Sequence, residues 1–367
     1  MRIGIAINKA WNIYNFRRGI IKALIERGHE VVAIAPADDY VGRLKDLGCD
    51  FVDYPISDTG SNPFREMDAV VRLRRILKDS KIDFLLTYTI KVNIYGTIAA
   101  RLESIPIICN VSGLGTAFLA KTISARVAKL MSSLVLRHSS HLFFQNQDDQ
   151  NDFLTAAGIN PAKSSLIPGS GIDLEEFAFE EMHLPAKFQF LMLSRLIIEK
   201  GVVEYGEAAR IVKEKYPEVR FALVGGFDPN HSRSIERQEL DKWEEEGLID
   251  YFPHSDDVQT IIKEAEVIVL PSYREGTPRV LLEGAAVGRP LITTDVPGCR
   301  EVVATGENGF LCKVKDGNSL AEQCIRYLEL TEEQKRAMGR KSRELVEARF
   351  DEQIVIMAYM EKIDALA

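Results

Sequence analysis

Two glutamates, Glu275 and Glu283, lie in the segment EVIVLPSYREGTPRVLLEGAAVGRPLITT, residues 266–294, in a setting that suits an anionic sugar ligand. An unbroken apolar run ends at Pro271-Ser272 and a short turn carries Glu275-Gly276-Thr277-Pro278. A helix is expected from about Pro278, because proline is well tolerated at the first helical position. Such a turn brings backbone N–H groups and the positive end of a helix dipole to the carboxyl end of a strand, where they can hold a diphosphate. Gly276 lets the chain approach a ligand with no Cβ in the way. Glu275, just before the helix, and Glu283, within it, can reach into one elongated site fit for a sugar and a ribose. The plainer reading leaves Glu275 as an acid favoured by the helix N-terminus and Glu283 as a solvated helix residue.

A second element, LMLSRLIIEKG at residues 191–201, places Arg195 and Lys200 in a strand-to-helix loop. Arg as a planar fork and Lys as a point charge can converge on one diphosphate. The plainer reading makes both solvated loop cations, with Lys200 paired to Glu199 or Glu204. Toward the front of the chain, Asn15 and Arg17 follow the first expected strand, Lys91 and Asn93 the fourth, and Gly113 the fifth. Arg17 and Lys91 can hold an acceptor diphosphate or stand as plain surface cations. The stretch FLAKTISARVAKLMSSLVLRH, residues 118–138, carries Lys121, Arg126, Lys129 and Arg137 and no acid. Its apolar residues fall at helical spacing, so it reads as a basic amphipathic helix able to lie on an anionic leaflet, or as a core-packed helix with a solvated basic side.

These residues need a scaffold, and the pattern supplies one. Short β-branched runs (RIGIAI, VVAIAP, DFVDYP, DFLLTY, PIICNV, HLFFQN) alternate with helical periods such as Asn15–Arg27, Pro63–Lys78 and Asn93–Glu103. A Gly-, Pro- and acid-rich break follows, and then a second series: FQFLMLS, VRFALVGG, LIDYF, EVIVLP, PLITT and GFLCKV. The expected fold is α/β, two doubly wound Rossmann-like domains facing a central crevice, with ligands at the carboxyl ends of the strands. The expected boundaries are 1–167, a linker at 168–187, a second domain at 188–345, and a final helix at 346–367.

Composition limits the function classes. With 46% hydrophobic and 27% charged residues the chain reads as soluble and globular, and no apolar run approaches transmembrane length. Residues 1–167 carry 21 Lys and Arg against 16 Asp and Glu, while the remainder is strongly acidic and the whole has a net charge of −8. A general nucleic-acid binder is not expected from that balance; a front half that faces an anionic surface is. The five cysteines are scattered with no CxxC, and there is no DxD triplet or HxxxH spacing, so no metal site and no cofactor are expected. The first strand leads into NKAWNIYNF and not GxGxxG, which disfavours a Rossmann dehydrogenase.

SRLIIEKG, the glycines Gly225 and Gly226 of LVGG, and EGTPRVLLE together resemble family 4 of the retaining GT-B glycosyltransferases, with NIYNFRRGIIKAL and GIDLEEF also similar. The resemblance implies that Arg195 and Lys200 neutralise the donor diphosphate and that Glu283 binds the ribose. Glu275 would meet the sugar hydroxyls, with Gly225 and the backbone of Gly276, Thr277 and Pro278 holding donor sugar and phosphate. Thr277 stands where many members have Phe or Leu. Within the family, the similarity points to members that extend undecaprenyl-diphosphate-linked saccharides in bacterial glycan assembly. It implies a UDP-sugar donor (UDP-GalNAc, or another HexNAc or hexose), no metal, and peripheral contact with the cytoplasmic face of the plasma membrane. Both front-face attack and a covalent intermediate remain open, front-face attack being preferred because no second candidate nucleophile stands out. A UDP-sugar 2-epimerase of the same architecture is the rival enzyme, and a family member with another donor in surface-polysaccharide assembly the nearer one.

Overall fold

The computed structural model describes residues 1–56, 63–113, 132–228 and 233–367. The chain divides into two units, Met1–Ser170 with Glu352–Ala367, and Gly171–Asp351. In the first, strands β1 (Arg2–Ala6), β2 (Glu30–Ala35), β3 (Asp50–Asp53), β4 (Phe84–Tyr88), β5 (Ile107–Val111), β6 (His141–Phe144) and β7 (Ser164–Leu166) form one sheet in the order β3-β2-β1-β4-β5-β6-β7. Every pairing is parallel. β4, β5 and β6 are buried along their whole length, as strands covered by helices on both faces must be. The three-residue β7 at the sheet edge carries too few apolar residues to announce itself in the sequence.

The second sheet repeats the plan with β8 (Phe188–Leu193), β9 (Phe221–Val224), β10 (Asp250–Phe252), β11 (Ala265–Leu270), β12 (Leu291–Thr294) and β13 (Gly309–Cys312), in the order β10-β9-β8-β11-β12-β13. Here too every pairing is parallel. In both sheets the connections leave in opposite directions from one adjacent pair: β1 and β4 in the first, β8 and β11 in the second. That reversal opens a gap at the carboxyl edge, where open α/β sheets bind ligands.

Residues 171–187, expected as a linker, belong to the second unit. Arginine side chains bind their carbonyls: Arg289 that of Glu180 at 2.8 Å, Arg336 that of Met182 at 2.5 Å and Arg343 that of Phe177 at 2.9 Å. The chain then runs through helices Glu332–Arg349 and Glu352–Leu366. The last helix sits in the first unit and buries Val355, Tyr359, Met360 and Ile363 with Ile13, Ile20 and Ile21 of helix Ala10–Glu26. Gly19 permits this approach, since a Cβ there would press on the Glu352 carboxylate.

Candidate functional site

In the second unit the segments after β8 and β11 meet because those strands are neighbours. Past β8 the chain makes a short 3-10 turn, Ile198–Lys200, and leaves it through Gly201 at φ +78°. A side chain at Gly201 would run into the Pro271 carbonyl, so glycine is what lets the Lys200 turn lie against the end of β11. The result is an ion pair across 75 residues of sequence: Lys200 Nζ lies 2.5 Å from Glu275 Oε1, both side chains mostly buried. Neither Glu199 nor Glu204 takes Lys200. Glu199 pairs with Arg233 at 2.5 Å, and Glu204 accepts from the Tyr273 hydroxyl at 2.7 Å.

Glu275 is held from three further directions. The buried Ser272 hydroxyl lies 2.6 Å from Glu275 Oε1 and 3.0 Å from the Glu199 carbonyl, its single proton serving one at a time. Thr294 donates to the Ser272 carbonyl, and the Glu275 N–H donates to the Pro297 carbonyl at 3.2 Å. Gly298, at φ +86°, packs so closely on the Glu275 and Gly276 carbonyls that only glycine fits.

Pro278 stands one residue outside the helix Arg279–Val287, as its N-cap, with ψ 110°. Its carbonyl accepts from Leu281 at 3.1 Å and Leu282 at 3.4 Å. Gly276, Thr277 and Pro278 thus form the turn into that helix. Glu283 is not a solvated helix residue: its side chain is mostly buried, and Arg279 Nε donates to it at 2.9 Å. Burial pushes its carboxyl above the usual range, with Arg279 opposing. Arg195 is exposed, in the loop that leaves β8. A side chain at Gly225 would collide with the Ser194 carbonyl in that same loop, so this glycine sets how closely the ends of β8 and β9 pack.

In the first unit Arg17 lies on the helix after β1, and Lys91 and Asn93 on the helix after β4, the two strands of the equivalent reversal. Arg17 is only 5% exposed, its guanidinium 4.1 Å from the centre of the Tyr88 ring, with a hydrogen bond to the Phe16 carbonyl at 2.7 Å. Arg17 Nε, the Tyr88 hydroxyl, Thr89 Oγ1 and Asn93 Oδ1 are buried without a hydrogen bond of good geometry. Asn93 is fully buried and donates to the Asn110 carbonyl at 2.8 Å, tying the start of helix Ile90–Leu102 to β5. Asn110 in turn donates to Tyr359 of the last helix at 2.9 Å. Asn15 donates to the Trp11 carbonyl at 2.9 Å, and Lys91 pairs with Glu66 at 3.3 Å. Gly113 follows β5 at φ +115°. Arg137 is exposed beside His138; Lys121, Arg126 and Lys129 lie outside the described residues.

Ser272, Arg279 and Gly298 were not assigned from the sequence. Gly298 has a signal, the Pro-Gly dipeptide of a turn, and Arg279 another, its i,i+4 spacing to Glu283. Ser272 has none. Among the described residues no group of three His, Cys, Asp or Glu side chains could hold a metal ion.

Comparison with known proteins identifies the family. The family "Glycosyl transferases group 1" matches residues 174–345, and "Glycosyl transferase 4-like domain" matches residues 15–169. The chain is 30% identical, over 99% of its length and 98% of the relative's, to the N,N'-diacetylbacillosaminyl-diphospho-undecaprenol alpha-1,3-N-acetylgalactosaminyltransferase of Campylobacter jejuni. It is 28% identical, over 71% of its length and 70% of the relative's, to the UDP-Gal:alpha-D-GlcNAc-diphosphoundecaprenol alpha-1,3-galactosyltransferase of Escherichia coli. In fold it is similar to Anabaena HepE, solved with UDP and glucose, at a TM-score of 0.80 and 16% identity over the whole of both chains.

Proposed function

The chain belongs to the family 4 glycosyltransferases of GT-B fold, and on that footing we propose that it moves a sugar from a UDP-sugar, UDP-GalNAc foremost, to a polyprenyl-diphosphate-linked saccharide with retention of configuration. The observation that carries this reading is the Lys200–Glu275 contact, which joins the two segments that carry the family resemblance. Without donor, each partner neutralises the other. With donor bound, Lys200 and Arg195 turn to the diphosphate and Glu275 to the sugar hydroxyls, while Glu283, released from Arg279, takes the ribose. Gly225, Gly276, Thr277 and Pro278 line the donor with backbone.

The acceptor hydroxyl forms its bond to the anomeric carbon as the bond from that carbon to the β-phosphate oxygen breaks. The hydroxyl proton passes to that departing oxygen, on the same face. Arg195 and Lys200 stabilise the charge that develops on the leaving diphosphate, the work a metal ion does in other transferases. The reading is therefore of a metal-independent transfer. In this reading Arg17, Asn15, Lys91, Asn93 and Gly113 form the acceptor side. Lys121, Arg126, Lys129 and Arg137 add basic contact with the cytoplasmic face of the plasma membrane.

A screen of UDP-sugars against polyprenyl-diphosphate saccharides in excess chelator, with the product anomer read by NMR, tests this. An α-linked product from an α-configured donor is expected. An inverted product, a need for added Mg²⁺ or Mn²⁺, or epimerisation of the donor without any acceptor would overturn it.

A further inference from the structure

Three of the large apolar side chains that the fold leaves exposed lie on one helix, Pro63–Asp79. Phe64 is 86% exposed, Met67 64% and Val71 48%. Their spacing puts them on a single ridge, while Ala69, Val70, Leu73 and Leu77 face inward and join the core of the first unit. The ridge continues through Arg75 and Lys78, also exposed. Two nearby arginines are already engaged, Arg72 with Asp68 at 3.1 Å and Arg74 with Glu103 at 2.5 Å. Arg75 and Lys78 have no ion-pair partner among the described residues, so their charge is available to something outside the chain.

The place of the ridge matters as much as its composition. The helix starts after β3, at the carboxyl edge of the first sheet, and Glu66 in its first turn accepts from Lys91 at 3.3 Å. Its apolar tip therefore lies beside the start of helix Ile90–Leu102, at the same sheet edge as Arg17, Tyr88 and Thr89. A ligand whose diphosphate reached that edge while its hydrocarbon tail stayed in a bilayer would bring the bilayer surface to the same edge.

We propose that Phe64, Met67 and Val71 are an insertion face that seats the first unit on an anionic lipid bilayer, with Arg75 and Lys78 on the headgroup phosphates. A ridge that is apolar at one end and cationic at the other matches the boundary between acyl chains and anionic headgroups. This face is made of other residues than those of the 118–138 stretch, and it rests on the reading of a lipid-linked acceptor. Three inserted side chains and two cations give reversible attachment, which suits an enzyme that must meet and leave membrane-borne substrates.

Co-flotation of the full chain with phosphatidylcholine vesicles, with and without about 30% phosphatidylglycerol, tests the proposal. The wild type is expected to float with the anionic vesicles and much less with the neutral ones. Phe64→Ser/Met67→Ser should cut the floated fraction about fivefold or more, and Arg75→Gln/Lys78→Gln should weaken binding about tenfold on the anionic vesicles alone. All four residues are exposed, and transfer to a water-soluble short-chain acceptor should stay within about twofold of wild type, which shows the variants folded. Wild-type protein that ignores anionic vesicles, or either variant floating like wild type, overturns the proposal. So does a variant that changes only the sedimentation coefficient, because the ridge would then be a contact between copies of the chain. Failure of every polyprenyl-linked acceptor in the transfer screen, with flotation as expected, would instead remove the acceptor reading and leave the membrane face standing.

Discussion

The two units share a sheet plan and place polar residues at the same reversal of strand order, yet they treat buried charge in opposite ways. At the β8/β11 reversal the mostly buried charges are answered from within: Lys200 by Glu275, Glu283 by Arg279, Glu199 by Arg233. At the β1/β4 reversal Arg17 is buried against an aromatic ring with no carboxylate partner among the described residues, beside several buried polar atoms without a hydrogen bond of good geometry. Arg289 shows that burial alone does not leave an arginine in that state. Fully buried in the second unit, it donates to the carbonyls of Ile262, Glu180 and Lys263. One reversal is thus a closed set of ion pairs that a ligand must open and replace. The other is an incomplete set that a ligand would complete.

The same type of substitution on either side should break the comparison or sharpen it. Lys200→Met removes a cation proposed to act on the leaving diphosphate, so kcat/KM for transfer should fall by about two to three orders of magnitude, the loss seen when one such stabilising group is removed. It also strands the mostly buried Glu275, so the second unit should lose about 1–2 kcal/mol in denaturant unfolding, a figure reduced for partial exposure. Arg17→Met should raise the acceptor KM about tenfold, the worth of one hydrogen bond to a charged group, and leave the donor KM alone. The stability of the first unit should hold or rise, because a buried cation without a carboxylate partner costs free energy. If Lys200→Met is as stable as wild type while Arg17→Met unfolds, the contrast between a closed and an incomplete set is wrong.

How much of this could be read from the chain differs between fold and site for a physical reason. Strand runs such as EVIVLP and helical periods such as Pro63–Lys78 are local patterns, and the α/β architecture followed from them. The motif segments were legible too, since strand, turn and helix start are neighbours in sequence. Partner choice was not. Lys200 meets Glu275 and not Glu199 or Glu204 only because β8 and β11 are adjacent, a fact of sheet order. In NIYNFRRG, Arg17 looks like a surface cation next to Arg18. Its burial is decided by Tyr88, on a strand that pairs with β1 in the folded sheet. Ser272 and β7 lack any compositional mark.

A smaller effect concerns how firmly the closed set is held. Ser272 is a neutral donor on the same Glu275 oxygen that faces Lys200. Ser272→Ala should leave the ion pair in place and lower kcat/KM about five- to tenfold, the worth of one typical hydrogen bond. Unchanged rates would show that Lys200 and the backbone at Pro297 and Gly298 suffice to orient Glu275.

The last expected effect is on the pH dependence of stability, and here the units should move in opposite directions. His141, in β6, is held by burial at a pKa of about 4, its Nε2 2.7 Å from the Ser165 hydroxyl. The unfolded chain takes a proton at this residue near pH 6.5, so the folded first unit binds fewer protons than the unfolded one between about pH 6.5 and 4. Its stability should therefore fall across that window, by about 2 kcal/mol on going from pH 7 to 5, and His141→Gln should flatten the loss. Glu283 works the other way. Its folded pKa is raised, so the folded second unit binds a proton before the unfolded chain does, and acidification toward that pKa adds stability. The chain has two tryptophans, Trp11 in the first unit and Trp243 in the second. Trp243→Phe and Trp11→Phe variants therefore report each unit by fluorescence during urea unfolding, compared at pH 7 and pH 5 within each variant. Parallel losses in both units, or a loss in the first that His141→Gln does not reduce, would contradict the assignment of opposite proton linkage to the two units.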